Sequence, residues 1–198
     1  MSARFAPGAW RYVLPPLLLG LPVLLIAAPV GLALVALAGF LAWFFRDPER
    51  TPAGEGVVSP ADGRVTVLRE EGDRVRVGVF MSPFDVHVNR APVSGEVTRL
   101  DHRGAAHKPA FSKDSVHNER VEFTVGDVDG ALIAGWFARR ISPYVSRGDE
   151  VDRGDRIGHI AFGSRADVVL PSGYDLGDVR VQKGEKVRAG RSILARPE

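Results

Sequence analysis

Val145-Ser-Arg-Gly-Asp-Glu-Val-Asp-Arg-Gly-Asp-Arg-Ile157 and Val181-Gln-Lys-Gly-Glu-Lys-Val-Arg-Ala-Gly-Arg-Ser-Ile193 share the pattern V-x-x-G-[DE]-x-V-x-x-G-x-x-I and begin 36 residues apart. In each unit one glycine makes a tight turn, a valine points inward, and a second glycine turns the chain again before the next strand. A second pair lies upstream. Pro60-Ala-Asp-Gly-Arg-Val-Thr-Val-Leu68 and Pro92-Val-Ser-Gly-Glu-Val-Thr-Arg-Leu100 share P-x-x-G-x-V-T-x-L, 32 residues apart. Repetition of this kind marks a duplicated supersecondary unit. Between the repeats run short alternating stretches, Val75 to Phe80 and Val121 to Val125 among them, punctuated by Gly, Pro and Asp. Alternation with period two predicts strands, so the fold class expected from Pro52 onward is mainly β.

These turn-strand-turn pieces resemble the barrel-sandwich hybrids of lipoyl and biotinyl carrier domains. The resemblance implies a barrel-sandwich-hybrid-like β domain with pseudo-repeats, and by itself says nothing about chemistry. Generic β-turn consensus is the alternative, less economical than duplication.

The N-terminal segment is of another kind. From Tyr12 to Phe45 the chain has no Asp, Glu, Lys, Arg or His, a run of 34 residues. As one helix it would rise roughly 51 Å, against a hydrocarbon core of about 30 Å. Pro29 and Gly31 near its middle are natural breakers. Two short helices, about 13 to 28 and 30 to 45, are expected, forming a membrane hairpin that spans or is re-entrant. Residues 1–46 would be this anchor and 47–198 the main domain. Arg4 and Arg11 precede the run and Arg46 and Arg50 follow it; basic flanks at both ends favour a cytoplasmic position for both, and so a domain on the cytoplasmic side of the cell membrane. Trp10, Tyr12, Trp43, Phe44 and Phe45 suit interfacial positions. A cleaved signal peptide is the competing reading, but the run is too long and lacks an evident cleavage site.

Arg4 and Arg11 are also the only ionisable side chains, tyrosine aside, before Arg46. Removing them from the 26 basic residues leaves 24 against 24 acidic ones in the segment from Arg46 onward, so that part of the chain is formally neutral. The sequence pI of about 9.2 is therefore no nucleic-acid footprint, and no nucleic-acid partner is expected. With no cysteine in the chain, disulfides, thiolate metal sites and a cysteine nucleophile are excluded.

Three patches carry candidate chemistry: Ser59-Pro-Ala-Asp62-Gly63, Met81-Ser-Pro-Phe-Asp85-Val-His87-Val-Asn-Arg90-Ala-Pro92, and Ile160-Ala-Phe162-Gly163-Ser164-Arg165. Singly each is ordinary, since Asp-Gly is a common turn and a lone His between valines is more often structural. In this order they resemble the phosphatidylserine decarboxylase family, whose hallmarks are an S-P-x-D-G turn, a histidine strand ending P-x-x-G, and a G-S cleavage site followed by a terminal β segment. The resemblance runs from about Phe44 to Pro197, includes Asn118-Glu119-Arg120 and Ala138-Arg139-Arg140-Ile141, and is strongest to the short, archaeal-type branch.

The family implies a chemistry for Gly163 and Ser164. The Ser164 hydroxyl attacks the Gly163 carbonyl and moves the acyl group from nitrogen to oxygen. β-Elimination of the ester then leaves dehydroalanine, which takes up water and loses ammonia to become a pyruvoyl group. The chain becomes two, a β chain of residues 1–163 and an α chain of 164–198. A Schiff base between the pyruvoyl ketone and the amine of a serine phospholipid, phosphatidylserine or archaetidylserine, would accept the electrons released with carbon dioxide. By the same resemblance Asp62 orients or charge-compensates a base during self-cleavage, His87 serves decarboxylation, no metal takes part, and a homodimer at the bilayer is implied.

One departure matters. In many relatives a second histidine, the self-cleavage base, stands three residues after the first; here that position is Arg90, which does not accept protons near neutral pH. Either His87 does both tasks or another base is recruited from His102, His107, His117 and His159, the last being nearest to Ser164 in sequence. Arg90 would then hold a lipid phosphate or an oxyanion. Arg139 and Arg140 are candidates for headgroup phosphate, and Phe80, Phe84 and Phe111 for a lipid-facing slot, with strand-end charge and core filler as the plainer alternatives. Two rival classes are weaker. A membrane-tethered carrier or adaptor needs a modifiable lysine flanked by methionines, which none of Lys108, Lys113, Lys183 and Lys186 is; a zinc peptidase needs clustered ligands, and no H-x-H occurs.

Overall fold

A computed structural model describes residues 4–103, 119–135, 141–160 and 164–197. The chain divides into two units, Met1–Glu49 and Arg50–Glu198.

In the first unit a short strand β1 (Arg4–Phe5) pairs with β2 (Arg46–Asp47), and between them lie helices α1 (Trp10–Ile26) and α2 (Ala28–Phe44). The break falls at Ala27, earlier than Pro29, because proline is well placed in the first turn of the following helix, where its missing N–H costs nothing. Gly31 is not a breaker either. It packs directly on the backbone of Leu24, and a Cβ on Gly20 would lie 2.9 Å from the Cβ of Leu34, so both glycines let the helices approach closely. The expected pair of helices is thus present, but a membrane hairpin is not supported. Each helix has 17 residues, and among the described residues none is long and apolar enough to cross a membrane.

The second unit is β throughout. Its strands are β3 (Val57–Val58), β4 (Gly63–Glu71), β5 (Arg74–Met81), β6 (Val88–Arg90), β7 (Gly95–Arg103), β8 (Arg120–Val125), β9 (Val128–Ala134), β10 (Ile141–Pro143), β11 (Glu150–Val151), β12 (Arg156–Ile160), β13 (Ser164–Val169), β14 (Lys186–Val187) and β15 (Ile193–Ala195). Eight form a curled antiparallel sheet in the order β11-β7-β8-β9-β13-β5-β4-β14; β10-β12-β6 and β15-β3 make two smaller sheets.

The repeats make the same contacts twice. Gly184 N–H donates to the Val65 carbonyl at 2.7 Å and Gly148 N–H to that of Val97 at 2.9 Å; Gly190 N–H donates to Ser59 at 2.7 Å and Gly154 N–H to Ala91 at 2.9 Å. Likewise β14 lies on β4 as Lys186↔Arg64 and Val187↔Gly63, and β11 on β7 as Glu150↔Glu96 and Val151↔Gly95. The offsets of 32 and 36 residues read from the sequence thus recur, bond for bond.

Strand alternation sorts β13 into two faces. Ser164, Ala166 and Val168 point into the core beside Met81, Val79 and Val77 of β5. Arg165, Asp167 and Val169 line an outer groove of about 490 Å³, where Arg165 bonds Asp167 at 2.8 Å and Arg74 bonds Asp129 at 2.6 Å. That groove is a salt-bridged sheet face, and Ser164 points away from it.

Candidate active site

Ser164 begins a strand held on both sides, opposite Met81 on β5 and Ala134 on β9, and is fully buried. Its Oγ approaches Met81 Sδ at 3.8 Å. A thioether is a weak acceptor, so the hydroxyl sits dry and loosely held. Gly163, the other half of the expected cleavage bond, lies outside the described residues, as do His107, Phe111, His117, Arg139 and Arg140.

The chain that leaves Met81 returns through a tight turn. Asp85 Oδ2 accepts from Ser82 N–H at 2.9 Å and from Ser82 Oγ–H at 2.7 Å, while Asp85 N–H donates to the Ser82 carbonyl at 3.0 Å, local bonding that closes the turn. His87 follows, with Nδ1 2.9 Å from the Asp85 carbonyl. A carbonyl only accepts, so Nδ1 carries the hydrogen and, in the neutral ring, Nε2 keeps its lone pair. The ring is buried, and the His87 carbonyl takes the N–H of Ile160, four residues before Ser164, at 3.2 Å. His87 thus follows the turn that leaves Met81, the residue that Ser164 faces across β5 and β13.

Ala189 N–H donates to Asp62 Oδ1 at 2.7 Å and Arg50 to its Oδ2 at 2.9 Å, bonds that hold the carboxylate in place. Within the same turn Ser59 Oγ donates to the Ala61 carbonyl at 2.7 Å. Gly63, at φ +147°, presses the start of β4 against the Phe80 carbonyl, an approach that any side chain would block. The S-P-x-D-G turn thereby docks beside Met81, and the three patches meet around that methionine.

Arg90 is buried, and the contact it displays is internal: its guanidinium donates to the Gly154 carbonyl at 2.9 Å, and its Cδ lies 2.8 Å from where a Cβ on Gly190 would be. It wedges the second turns of the two repeats. Among the other histidines, His102 is exposed on β7. His159 is paired with Val88, which puts both side chains on the face of the small sheet opposite to Asn89, and Asn89 is the residue that turns toward Met81. Burial pushes the His159 imidazole below its usual value, and its Nδ1 shares a 2.8 Å hydrogen bond with Tyr144 Oη. Phe84 stands 69% exposed at the tip of the 82–85 turn, while Phe80 is half-buried. No group of three or more His, Cys, Asp or Glu among the described residues is arranged to hold a metal.

Met81, Asn89, Asp85 and Arg50 were not singled out by sequence reasoning. The first three sit inside a quoted patch with no role assigned to them, and Arg50 reads as a membrane-flanking charge.

A family model described as phosphatidylserine decarboxylase matches residues 37–195. A Halobacterium salinarum protein named "Putative archaetidylserine decarboxylase proenzyme" is 56% identical over 99% of this chain and 100% of its own. A "Phosphatidylserine decarboxylase proenzyme" of Streptomyces avermitilis is 46% identical over 98% of this chain and 94% of its own, and an archaetidylserine counterpart from Methanopyrus kandleri is 40% identical over 96% and 98%. No solved structure matches. With these relatives beside the geometry, the protein is a decarboxylase made as a proenzyme. It belongs to the phosphatidylserine decarboxylase family, on its archaeal-type branch.

Proposed function

We propose that the protein converts a serine phospholipid to the ethanolamine phospholipid and carbon dioxide, after cutting itself between Gly163 and Ser164. What carries this reading is the inward, fully buried Ser164 at the head of a central strand, its hydroxyl facing a sulfur and not a strong acceptor. The relatives are named for phosphatidylserine or archaetidylserine. Both bear the serine headgroup on which the chemistry falls, and the reading covers both. The duplicated scaffold, which we read as barrel-sandwich-hybrid-like, supplies the rigid frame.

His87 Nε2, the lone-pair nitrogen, takes the Ser164 hydroxyl proton. Oγ then bonds to the Gly163 carbonyl carbon, the bond from that carbon to the Ser164 nitrogen breaks, and the nitrogen receives the proton, leaving an ester and a free α-amine. Loss of the Ser164 Cα proton expels the Gly163 carboxylate and leaves dehydroalanine; one water adds and one ammonia departs. Asp62, held by Arg50 and by Ala189 N–H, provides the fixed negative charge that offsets the protonated base. Ser164 suits this conversion because its side chain is shielded from bulk water, which would otherwise compete for the ester. The pyruvoyl group made from it supplies an electron sink for decarboxylation. His87 then handles the proton at the substrate's α-carbon.

The lipid substrate, together with exposed apolar side chains on α1 and α2 such as Leu18, Leu25 and Ile26, supports residence at the cell membrane, the helices lying in the interface and the β domain on the cytoplasmic side. Exposed Phe84 and a homodimeric state fit the same arrangement.

Mass spectrometry of purified protein tests the reading. We expect two fragments, 1–163 and 164–198, the smaller blocked to Edman sequencing, and a Ser164→Ala chain that stays whole and releases no carbon dioxide from phosphatidylserine or archaetidylserine vesicles. An intact Ser164 in protein that still decarboxylates its lipid would refute it.

A further inference from the structure

Asn89 is fully buried and approaches the same methionine sulfur as Ser164, yet it lies outside every role assigned above. Its Nδ2 points at two acceptors, the Pro60 carbonyl at 3.4 Å and Met81 Sδ at 3.7 Å. That orientation is chemically required, because the flipped amide would set Oδ1 against the Pro60 carbonyl oxygen. Its Oδ1 is then left with no hydrogen-bond partner among the described residues. A buried amide oxygen without a donor is costly, and a catalytic or binding role is one of the few reasons for a native fold to keep one. The same Met81 sulfur lies 3.8 Å from Ser164 Oγ, so the Asn89 amide, through its nitrogen, and the reacting serine flank a single atom.

What arrives there is nitrogen. Self-cleavage uncovers an amine on the α-carbon of residue 164, and turnover brings the substrate's primary amine to that same carbon. Both bear N–H groups, and neither has an assigned acceptor. We propose that Asn89 Oδ1 receives these N–H donors, first from the uncovered amine and then from the substrate, which makes Asn89 the amine-recognition residue of the site. The inference rests on the serine chemistry proposed above and adds to it the identity of the acceptor. Arg90 next in sequence cannot do this, having only donors and its guanidinium turned to Gly154.

The test follows chain splitting, which needs no lipid, in freshly refolded proenzyme. Asn89→Leu keeps the volume and removes the acceptor; Asn89→Asp keeps an acceptor oxygen on the same stem. With melting temperatures near that of the unmodified protein, Asn89→Leu should split about 10-fold slower or worse, the scale of one hydrogen bond to a charged group. Asn89→Asp should stay within a few-fold of the unmodified rate. Once split, Asn89→Leu should show a raised KM for phosphatidylserine in mixed micelles and yield less lipid-modified small fragment on cyanoborohydride trapping. Equal loss in both variants, or no loss in either, overturns the proposal. Should Asn89→Leu fail to fold, Asn89→Asp alone decides: rapid splitting supports the acceptor role, and loss of splitting at an unchanged melting temperature removes it. A failure of the unmodified protein to split would instead strike the serine chemistry itself.

Discussion

Two corners of the β unit are built alike and equipped differently. At one, Arg153 N–H is capped by Ser94 Oγ at 2.9 Å; at the other, Ala189 N–H is capped by Asp62 Oδ1 at 2.7 Å. Ser94 stands 32 residues after Asp62 and Ala189 stands 36 after Arg153, so the two bonds are the same bond in the two halves of the duplication. A neutral hydroxyl is sufficient for the turn. The carboxylate at the Asp62 corner brings a second oxygen, which pairs with Arg50, and that oxygen adds charge where the scaffold needs none. The comparison separates what holds the fold from what was added to it: the extra charge lies in the S-P-x-D-G turn, whose glycine, Gly63, docks beside Met81, the residue that Ser164 faces.

Making the corners alike should have the largest effect. Asp62→Ser keeps a cap for Ala189 N–H, so the protein should remain folded, yet chain splitting should fall by roughly 100-fold or more, the usual scale for losing part of an acid–base apparatus. Unchanged splitting, read on a denaturing gel, would make the two corners equivalent and end the argument.

Next comes the pair of glycines that starts β4 and β7. Gly63 and Gly95 share φ values of +147° and +144°, but a Cβ on Gly63 would strike the Phe80 carbonyl oxygen, whereas one on Gly95 would meet Gly126 Cα at 2.9 Å. Gly63→Ala should cost about 4 kcal/mol and Gly95→Ala about 2 kcal/mol in urea unfolding. Equal costs would mean that the crowding at Phe80 is relieved by backbone adjustment.

The smallest difference lies at the ends of the repeats, where His159 on β12 occupies the place that buried Ala195 has on β15. Burial lowers the His159 imidazole, so the fold favours its neutral form. The stability this confers is present above the unfolded value of about 6.5 and is lost as pH falls through the lower folded value. His159→Ala should therefore flatten the acid side of the melting-temperature profile relative to the unaltered protein while leaving the profile above pH 7 little changed. An unaltered acid slope would place the titration elsewhere.

Much of this was legible in the residues themselves. The repeat offsets of 32 and 36 reappear as matching hydrogen bonds because short turn motifs fix backbone geometry locally. The strand alternation of Val75–Phe80 holds in β5 for the same reason. Ser164 and His87 could be named because Gly-Ser and the histidine patch occur in a telling order, not because any local pattern shows them meeting. Which residues face the serine was hidden, since it depends on strand register across β5, β6, β12 and β13, and register is set by the whole sheet. Hence Asn89 carries no role in the sequence reading, while Arg90, which reads there as a ligand for phosphate or an oxyanion, is found donating to the Gly154 carbonyl. The helix break, too, moved from Pro29 to Ala27, because a proline can begin a helix as well as end one.

The place of β13 bears on the lifetime of the mature protein. This strand is hydrogen-bonded on both sides, to β5 and β9, and the segment after it adds β14 and β15 to other edges of the unit. A cut just before residue 164 would leave the short fragment interleaved with the long one, so separation requires global unfolding. Thereafter reassembly is a bimolecular event, slower at every dilution, and the loss is in practice permanent. Maturation would turn a molecule that can recover from denaturation into one whose working life is set by how rarely it opens.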